Sequence, residues 1–337
     1  MKALILEEPG KLSIGDRPMP APSPDALLLR VQLVGLCGTD LNSFRGKNPL
    51  ISYPRIPGHE IAATVVESGD SGSQLPSGTN VTLMPYLACG QCAACLRHRP
   101  NACEFNQTMG VQRDGALTEY ISVPAAKIVR GNLSLKELCL VEPLSIGFHA
   151  VSRGQITAKD TVAVLGSGGV GLGAIAAASF AGATVIAIDV DDRKLEIARK
   201  AGARICINSQ TMDCHKTLRD LTDGFGPDVV IEAIGLPATF RMAVEEVAFT
   251  GRVVYIGYAK ELVEYETRLF VQKELDIRGS RNALPEDFQT VIQMLEAKRF
   301  PVEDAVSLVV GLEGAPQVIA HWAASPIAYS KIMVSMQ

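Results

Sequence analysis

The sequence predicts an α/β protein with two domains, one rich in β-strands and one built on a doubly wound parallel sheet. Its 337 residues allow two domains at about 100–200 residues each. Short β-branched runs separated by turn-forming Pro, Gly, Ser and Asp residues occupy the first 150 residues. From about residue 150 onward, apolar runs alternate with helix-like segments, which is typical of a parallel sheet covered on both faces.

The predicted elements follow from the spacing of apolar residues. The first part has strand candidates at residues 27–34, 61–67, 80–83 and 118–123. The second part has strand candidates at 161–165, 184–188, 229–233, 252–257 and 275–280, with helix candidates at 172–180 and 192–201. The tail has apolar residues at helical spacing in 285–297 and a final strand candidate at 331–334.

Composition excludes several classes of protein. Hydrophobic residues make up 47% and charged residues 20%, which excludes a disordered chain. A net charge of −4 argues against a nucleic-acid-binding surface. We find no charge-free run of about 18 apolar residues that would predict a membrane span. Glu7 and Glu8 directly follow a short apolar stretch, unlike a signal peptide. We therefore expect a cytoplasmic protein with no nucleic-acid or membrane partner.

The glycine-rich turn Gly166–Gly171 matches the pattern G-x-G-x-x-G between a predicted strand and a predicted helix. Gly166 would make the tight turn, Gly168 would let the backbone approach a pyrophosphate, and Gly171 would let helix and strand pack closely. Gly169 and Val170 complete the turn at the helix N-terminus, whose unpaired N–H groups attract phosphates. The alternative is a turn whose glycines serve packing alone.

Asp189 ends the next predicted strand, where a carboxylate accepts hydrogen bonds from the ribose hydroxyls of NAD and repels a 2′-phosphate. Arg193 follows closely and could instead admit NADP. The sequence therefore favours NAD and leaves NADP open.

Four cysteines crowd into a short segment. Cys89, Cys92, Cys95 and Cys103 have the spacing of an all-sulfur zinc site, which is closed and therefore structural. The alternative is free or disulfide-paired cysteines; a reducing cytoplasm argues against the disulfides, and the close spacing favours a metal site over free thiols.

Three further residues suggest an open metal site. Cys37 lies in Gly35–Asp40, His59 lies in Gly58-His59-Glu60, and Glu142 precedes Pro143. Three protein ligands and a water molecule are what a catalytic zinc requires. Spacing alone does not connect them, and each taken singly is more typical of a packed core residue.

These motifs, in this order, resemble the zinc-dependent medium-chain dehydrogenase/reductase family over nearly the whole chain. Glu142 stands where the alcohol dehydrogenase branch has its second cysteine, which is similar to the polyol and sugar branch that includes sorbitol (L-iditol) dehydrogenase. Residues 279–288 also resemble bacterial sugar-acid dehydrogenases such as L-galactonate 5-dehydrogenase.

The resemblance implies a domain layout and a set of cofactors. Residues 1–149 and 284–337 would form a GroES-like catalytic domain carrying two zinc ions, and residues 150–283 would form a Rossmann domain that binds NAD. The catalytic cleft would lie between the domains. The family also implies a homodimer or a homotetramer.

The resemblance also implies residue roles. Cys37, His59 and Glu142 would bind the catalytic zinc, with Glu60 close enough to coordinate it in some states. Asp40 would accept a hydrogen bond from the imidazole of His59 and fix its tautomer.

Thr39 would pass the substrate proton outward. Many relatives carry a histidine three residues after this threonine, whereas this chain has Asn42, which cannot titrate near neutral pH. Water would then replace the outer half of the relay.

Several residues are candidates for contacting the substrate. Arg281 and Asn282 follow the last predicted strand of the sheet and would face either the substrate or the cofactor; a surface position is the alternative for Arg281. Weaker candidates for lining the pocket are Arg45, Tyr53 and Arg113.

The predicted function is NAD-linked oxidation of a secondary alcohol of a polyol, sugar or sugar acid to the ketone. One alternative is oxidation of an amino alcohol, as in threonine dehydrogenases. Another is a catalytically inactive regulatory protein that senses a dinucleotide.

Overall fold

The computed structural model describes residues 1–21, 24–68 and 75–336. Two compact units divide the chain, Met1–Glu142 with Val302–Gln337, and Pro143–Pro301. The strands, in chain order, are β1 (Lys2–Glu8), β2 (Lys11–Asp16), β3 (Ala26–Leu36), β4 (Glu60–Ser68), β5 (Asn80–Leu83), β6 (Tyr86–Leu87), β7 (Gln107–Thr108), β8 (Tyr120–Pro124), β9 (Ile128–Val129), β10 (Thr161–Leu165), β11 (Thr184–Asp189), β12 (Ile205–Asn208), β13 (Val229–Glu232), β14 (Arg252–Tyr255), β15 (Asp276–Gly279), β16 (Leu308–Gly311) and β17 (Ile332–Ser335).

The helices connect these strands. They are α1 (Gly38–Phe44), α2 (Ala93–Leu96), α3 (Leu135–Gly154), α4 (Gly169–Phe180), α5 (Asp192–Lys200), α6 (Cys214–Leu221), α7 (Pro237–Glu246), α8 (Arg268–Gln272), α9 (Pro285–Glu296), α10 (Val302–Ala305) and α11 (Ala315–Ala324). No helix among the described residues combines the length and the apolar character needed to cross a membrane.

The first unit is organised around the long strand β3. In the described part of this unit the sheet order is β16-β17-β3-β4-β5-β9, with β8 paired to β3. Leu27, Leu29 and Val31 are buried while Arg30 is exposed, so one face of β3 packs into the core. The strand β17 pairs antiparallel with β3, and this pairing brings Ile332, the first residue of β17, beside Leu36.

The second unit contains a parallel six-stranded sheet with the order β12-β11-β10-β13-β14-β15. The central strands are apolar and buried on both faces, as expected when helices cover both sides. The strand order reverses between β10 and β13, and ligands of such sheets bind beyond the carboxyl ends of the strands at this point. The predicted α/β class, with a β-rich part and a doubly wound sheet, is confirmed.

The limits of the two units differ from the predicted domain boundaries. The first division falls inside the 20-residue helix α3, which the sequence analysis did not detect. The second falls after α9, which the prediction assigned to the catalytic domain. His149 on α3 and Asp287 on α9 form a buried contact, with Nδ1 and Oδ2 2.8 Å apart, which ties α9 to the second unit.

Candidate active site

Cys37 lies at the junction of β3 and α1. Its backbone is extended, with φ −121° and ψ 175°, and its sulfur accepts a hydrogen bond from the Thr39 N–H at 3.2 Å. In return, the Cys37 N–H donates to Asp40 Oδ2 at 3.0 Å. These reciprocal bonds fix the position of the thiol at the start of α1.

Asp40 connects two segments of the candidate site. Besides the Cys37 N–H, its carboxylate accepts the Gly58 N–H at 3.3 Å, directly before His59. The predicted hydrogen bond from the imidazole of His59 to Asp40 is not formed. The His59 Nε2 atom lies 3.0 Å from Cys37 Sγ, and Nδ1 is buried without a partner. Asp40 therefore positions the backbone of both segments rather than the imidazole ring.

Four side chains lie close to His59. Ligand atoms of Cys37, Asp40 and His59 lie within 4.8 Å of one another, and so do those of His59, Glu60 and Glu142. His59, Glu60 and Glu142 are buried. The predicted ligands Cys37 and Glu142 thus each lie near His59, in two groups that have only this histidine in common.

The electrostatics of this cluster indicate a missing positive charge. Burial lowers the pKa of His59, but the negative charges of Cys37 and Asp40 outweigh it and raise the pKa well above its ordinary value. Burial raises the pKa of Glu142 to about 7, although the charge of His59 opposes this shift. A divalent cation would compensate the buried anions, and sulfur, imidazole and carboxylate donors suit zinc. The orphaned Nδ1 atom of His59 also fits an imidazole prepared for an absent partner.

Glu60 has a cationic partner that the sequence analysis missed. The ammonium group of Lys331 lies 2.7 Å from both carboxylate oxygens of Glu60 and donates to the Leu36 carbonyl at 3.2 Å. Lys331 is 6% exposed and Glu60 is 1% exposed. Because the Lys331 pair engages both oxygens, Glu60 is less available to a metal ion than Glu142.

Glu142 has a neutral partner, also missed from the sequence. The Tyr86 hydroxyl donates to Glu142 Oε1, and both side chains are buried. Burial, together with the charge of Glu142, raises the pKa of Tyr86 well above its ordinary value. The phenol adds no positive charge beside Glu142, so a cation bound there would favour the ionised carboxylate.

The four-cysteine loop forms a second candidate metal site. Its sulfur atoms lie within 4.8 Å of one another, and all four cysteines are free thiols. The Cys92–Cys95 and Cys92–Cys103 sulfur distances are 3.5 and 3.8 Å, far longer than a disulfide of about 2.05 Å. Gly90, with φ +76°, allows the tight turn between the first two cysteines. This arrangement fits a tetrahedral all-sulfur zinc site.

The glycine turn has the geometry that a dinucleotide requires. Gly166 has φ +96°, and a Cβ on Gly171 would lie 1.9 Å from the Gly166 carbonyl oxygen. A Cβ on Gly168 would meet no atom within 4 Å, so open space lies above this residue. Gly168 caps α4, and Gly169 and Val170 begin it. The turn therefore exposes helix N–H groups beside an open approach, as phosphate binding requires.

Asp189 ends β11 beside this turn. It accepts the Ser167 N–H at 2.7 Å through Oδ2, and the N–H groups of Val190 and Asp191 through Oδ1. Arg193 does not reach Asp189. Its guanidinium instead forms two bonds to the Asp191 carboxylate, at 2.7 and 3.1 Å.

Arg281 and Asn282 follow β15, the edge strand of the parallel sheet. Asn282 has φ +51°. Both residues stand at the carboxyl end of this strand, as the sequence analysis expected.

Comparisons with known proteins fit this geometry. Residues 23–132 match the alcohol dehydrogenase GroES-like domain, and residues 169–297 match the zinc-binding dehydrogenase family. The chain belongs to the zinc-dependent medium-chain dehydrogenase family, in its polyol branch. L-galactonate-5-dehydrogenase of Escherichia coli is 35% identical over 296 residues, 88% of this chain and 87% of its own.

Two solved structures share the fold. An alcohol dehydrogenase of Escherichia coli complexed with NADH has a TM-score of 0.91 and 28% identity, covering 100% of this chain and 99% of its own. A zinc-binding dehydrogenase of Sinorhizobium meliloti bound to NADP has a TM-score of 0.91 and 30% identity, covering 99% and 98%.

The protein is therefore a zinc-type oxidoreductase that acts on CH–OH groups of small molecules. The predicted enzyme class is confirmed. Relatives of the same fold carry either NADH or NADP, so the family relationship leaves the choice between the two open.

Proposed function

We propose that this enzyme uses NAD to oxidise a secondary alcohol of a polyol, a sugar or a sugar acid to the ketone. The observation that carries the proposal is that His59 shares one group of possible metal ligands with the half-buried Cys37 and a second group with the buried Glu142. The relationship to L-galactonate-5-dehydrogenase supports the same class of substrate.

Cys37, His59 and Glu142 are proposed to hold the catalytic zinc. Glu60 could coordinate it only if its ion pair with Lys331 opened. A second zinc is proposed at the four-cysteine loop, where it stabilises the fold. When bound, the catalytic zinc would polarise the substrate hydroxyl and NAD would accept the hydride.

Thr39 is proposed to accept the proton of the substrate hydroxyl. It follows Cys37 by two residues on α1, and the described chain forms no hydrogen bond to its hydroxyl group. Asn42, one helical turn further on, cannot take up the proton, so the relay would continue through water to the solvent.

The choice of NAD over NADP is supported by two carboxylates. Asp189 lies at the end of β11, where it would meet the adenosine ribose and repel a 2′-phosphate. Arg193, the nearby residue that would attract this phosphate, is already paired with Asp191. We also retain a cytoplasmic homodimer or homotetramer as a prediction, which light scattering and cell fractionation would test.

A substrate panel tests the proposed activity. The zinc-loaded enzyme would be assayed with alditols, aldonates and threonine, each with NAD and with NADP, by the absorbance of the reduced nicotinamide. We expect turnover of an alditol or aldonate with NAD. Turnover of threonine alone would replace the proposal with amino-alcohol oxidation.

A substitution tests the ligand assignment. Glu142→Ala should abolish NAD-linked turnover and lower the catalytic zinc content measured by elemental analysis, while Glu303→Ala, an exposed glutamate, should change neither. Full turnover with unchanged zinc content in the Glu142 variant would show that the metal is held elsewhere.

A further inference from the structure

Arg113 lies in a turn that joins two parts of the candidate active site. The Gly110 N–H donates to the Arg113 carbonyl at 2.8 Å and closes the turn. Before it, β7 pairs with β6, the strand that carries Tyr86. After it, the Gly115 and Ala116 N–H groups donate to the carbonyls of Ile56 and Gly58, the segment that leads into His59. The segment that carries Arg113 is thus linked both to the strand of Tyr86 and to the residues before His59, one of the candidate metal ligands.

Lys127 reaches the same region from another part of the chain. It ends a short 3₁₀ turn, and its carbonyl accepts the Met84 N–H at 2.9 Å. The next residue, Pro85, accepts the Met109 N–H from the chain that leads to Arg113. The chain segments that carry the two cations are therefore hydrogen-bonded to Met84 and Pro85, directly before Tyr86, whose hydroxyl contacts Glu142.

Neither cation has a partner of opposite charge within the described residues. Both side chains are half-buried, and the Arg113 Nε atom is fully buried without a hydrogen bond. Burial lowers the pKa of Arg113, and burial together with the charge of Arg113 lowers the pKa of Lys127. Two like charges that lose water without gaining a counter-ion destabilise a fold, so their presence calls for a ligand.

We propose that Arg113 and Lys127 together bind the anionic end group of the substrate, a carboxylate or a phosphate, while the metal cluster engages a hydroxyl of the same molecule. This assignment rests on the proposed carbohydrate dehydrogenase activity. It narrows the substrate class from polyols in general to sugar acids and sugar phosphates. A guanidinium and an ammonium group bind either anion through charge-assisted hydrogen bonds.

The experiment compares substrates that share a galactitol skeleton and differ at one end: galactitol, L-galactonate and galactitol 1-phosphate. Arg113→Met and Lys127→Met remove the charge and keep an apolar stem. Each should raise the KM for the preferred anionic substrate about ten- to hundred-fold and change the KM for galactitol less than about threefold. The relative size of the effect on L-galactonate and on the phosphate identifies the anion.

Arg130→Met is the matched control, because Arg130 is exposed and follows β9 closely. It removes the same charge from the same region and should leave all KM values unchanged. If it has the same effect as Arg113→Met, the cause is a general field and the binding site is refuted. An equal rise in KM for galactitol and for the anions would also refute it.

Thermal unfolding gives a readout that does not depend on turnover. Without substrate, both methionine variants should unfold at the same or a higher temperature than the parent, because an uncompensated charge is removed. In the parent, L-galactonate or inorganic phosphate should raise the unfolding temperature, and this rise should disappear in the variants.

If no carbohydrate is oxidised but the rise in unfolding temperature is seen, the proposed activity fails while the anion site stands. If neither anion raises the unfolding temperature of the parent, the anion site is refuted. A variant that unfolds at a lower temperature would indicate a structural role instead.

Discussion

At the scale of single residues, the two glutamates beside the metal cluster differ in the partner that holds them. Glu60 is paired with the ammonium group of Lys331, whereas Glu142 accepts a hydrogen bond from the phenol of Tyr86. An ion pair compensates the charge of a buried carboxylate, whereas a hydrogen bond from a neutral phenol adds no positive charge. This difference favours Glu142 over Glu60 as the proposed metal ligand.

Lys331→Met should destabilise the protein, because Glu60 would remain buried without its cation. We expect a loss of about 3–5 kcal/mol in the free energy of unfolding, measured with urea on the chelator-treated protein. The double variant Lys331→Met with Glu60→Gln should recover much of this loss. Lys2→Met, which breaks an exposed pair with Asp16, is the control and should change stability little. An equally small effect at Lys331 would mean that water enters the site and screens the pair.

Tyr86 and Lys331 also mark the limit of what the sequence predicts at this scale. Cys37, His59 and Glu142 belong to local motifs that a reader can recognise. Tyr86 meets Glu142 from 56 positions away, and Lys331 meets Glu60 from 271 positions away. Neither residue has a local signal, since only the tertiary fold brings these side chains to their partners.

Asp191→Asn should shift cofactor preference towards NADP. Asparagine still caps α5, as Asp191 does through the Arg193 N–H, but it no longer holds the guanidinium by charge. We expect the ratio of the Kd for NADPH to the Kd for NADH to fall about three- to tenfold, measured by nicotinamide fluorescence. In the double variant with Arg193→Gln the ratio should return to that of the parent. An unchanged ratio in the single variant would show that Arg193 does not reach the 2′-phosphate.

At the scale of elements, α3 shows why some structure escapes prediction. The alternation of strands and helices in the second unit has clear spacing, and the sequence predicted its fold class correctly. Helix α3 is buried on nearly all sides from Leu138 to Val151, so it has no apolar stripe with a polar opposite face. Pro143 within it also reads as a helix break. The helix that carries Glu142 could therefore not be predicted from the sequence, although Glu142 itself was predicted as a ligand.

Backbone hydrogen bonds between residues 56–58 and 115–117 position His59, and the absence of a side chain at Gly115 lets the two segments approach closely. A Cβ on Gly115 would lie 2.4 Å from the carbonyl oxygens of Pro57 and Gly58. Gly115→Ala should therefore push the two segments apart, cost about 1–3 kcal/mol of stability and weaken zinc binding at the cluster. Gly311→Ala, where a Cβ meets no atom within 4 Å, should change neither unfolding nor zinc content. If both variants behave alike in urea unfolding and elemental analysis, the close approach does not control the site.

At the scale of the whole molecule, the two kinds of ligand fall in different compact units. All the candidate metal ligands lie within Met1–Glu142, and the glycine turn with Asp189 lies within Pro143–Pro301. The first unit contains the core around β3, and the second contains the core of the parallel sheet. Metal and dinucleotide should therefore stabilise different parts of the chain.

Hydrogen exchange on the full-length enzyme tests this separation. Removing metal with a chelator should speed exchange at the ligand segments 36–44, 58–60 and 88–104, because buried anions and thiolates lose their cation. Exchange in β10, β11 and β13 should stay slow. Adding NADH to the zinc-loaded protein should slow exchange at Gly166–Gly171 by mass action and leave the cysteine loop unchanged. Re-addition of zinc is the control and should return exchange at the ligand segments to the rates seen before metal removal. Faster exchange across both units after metal removal would mean that they unfold as one cooperative body, and the division of the chain into separately stabilised units would then be wrong.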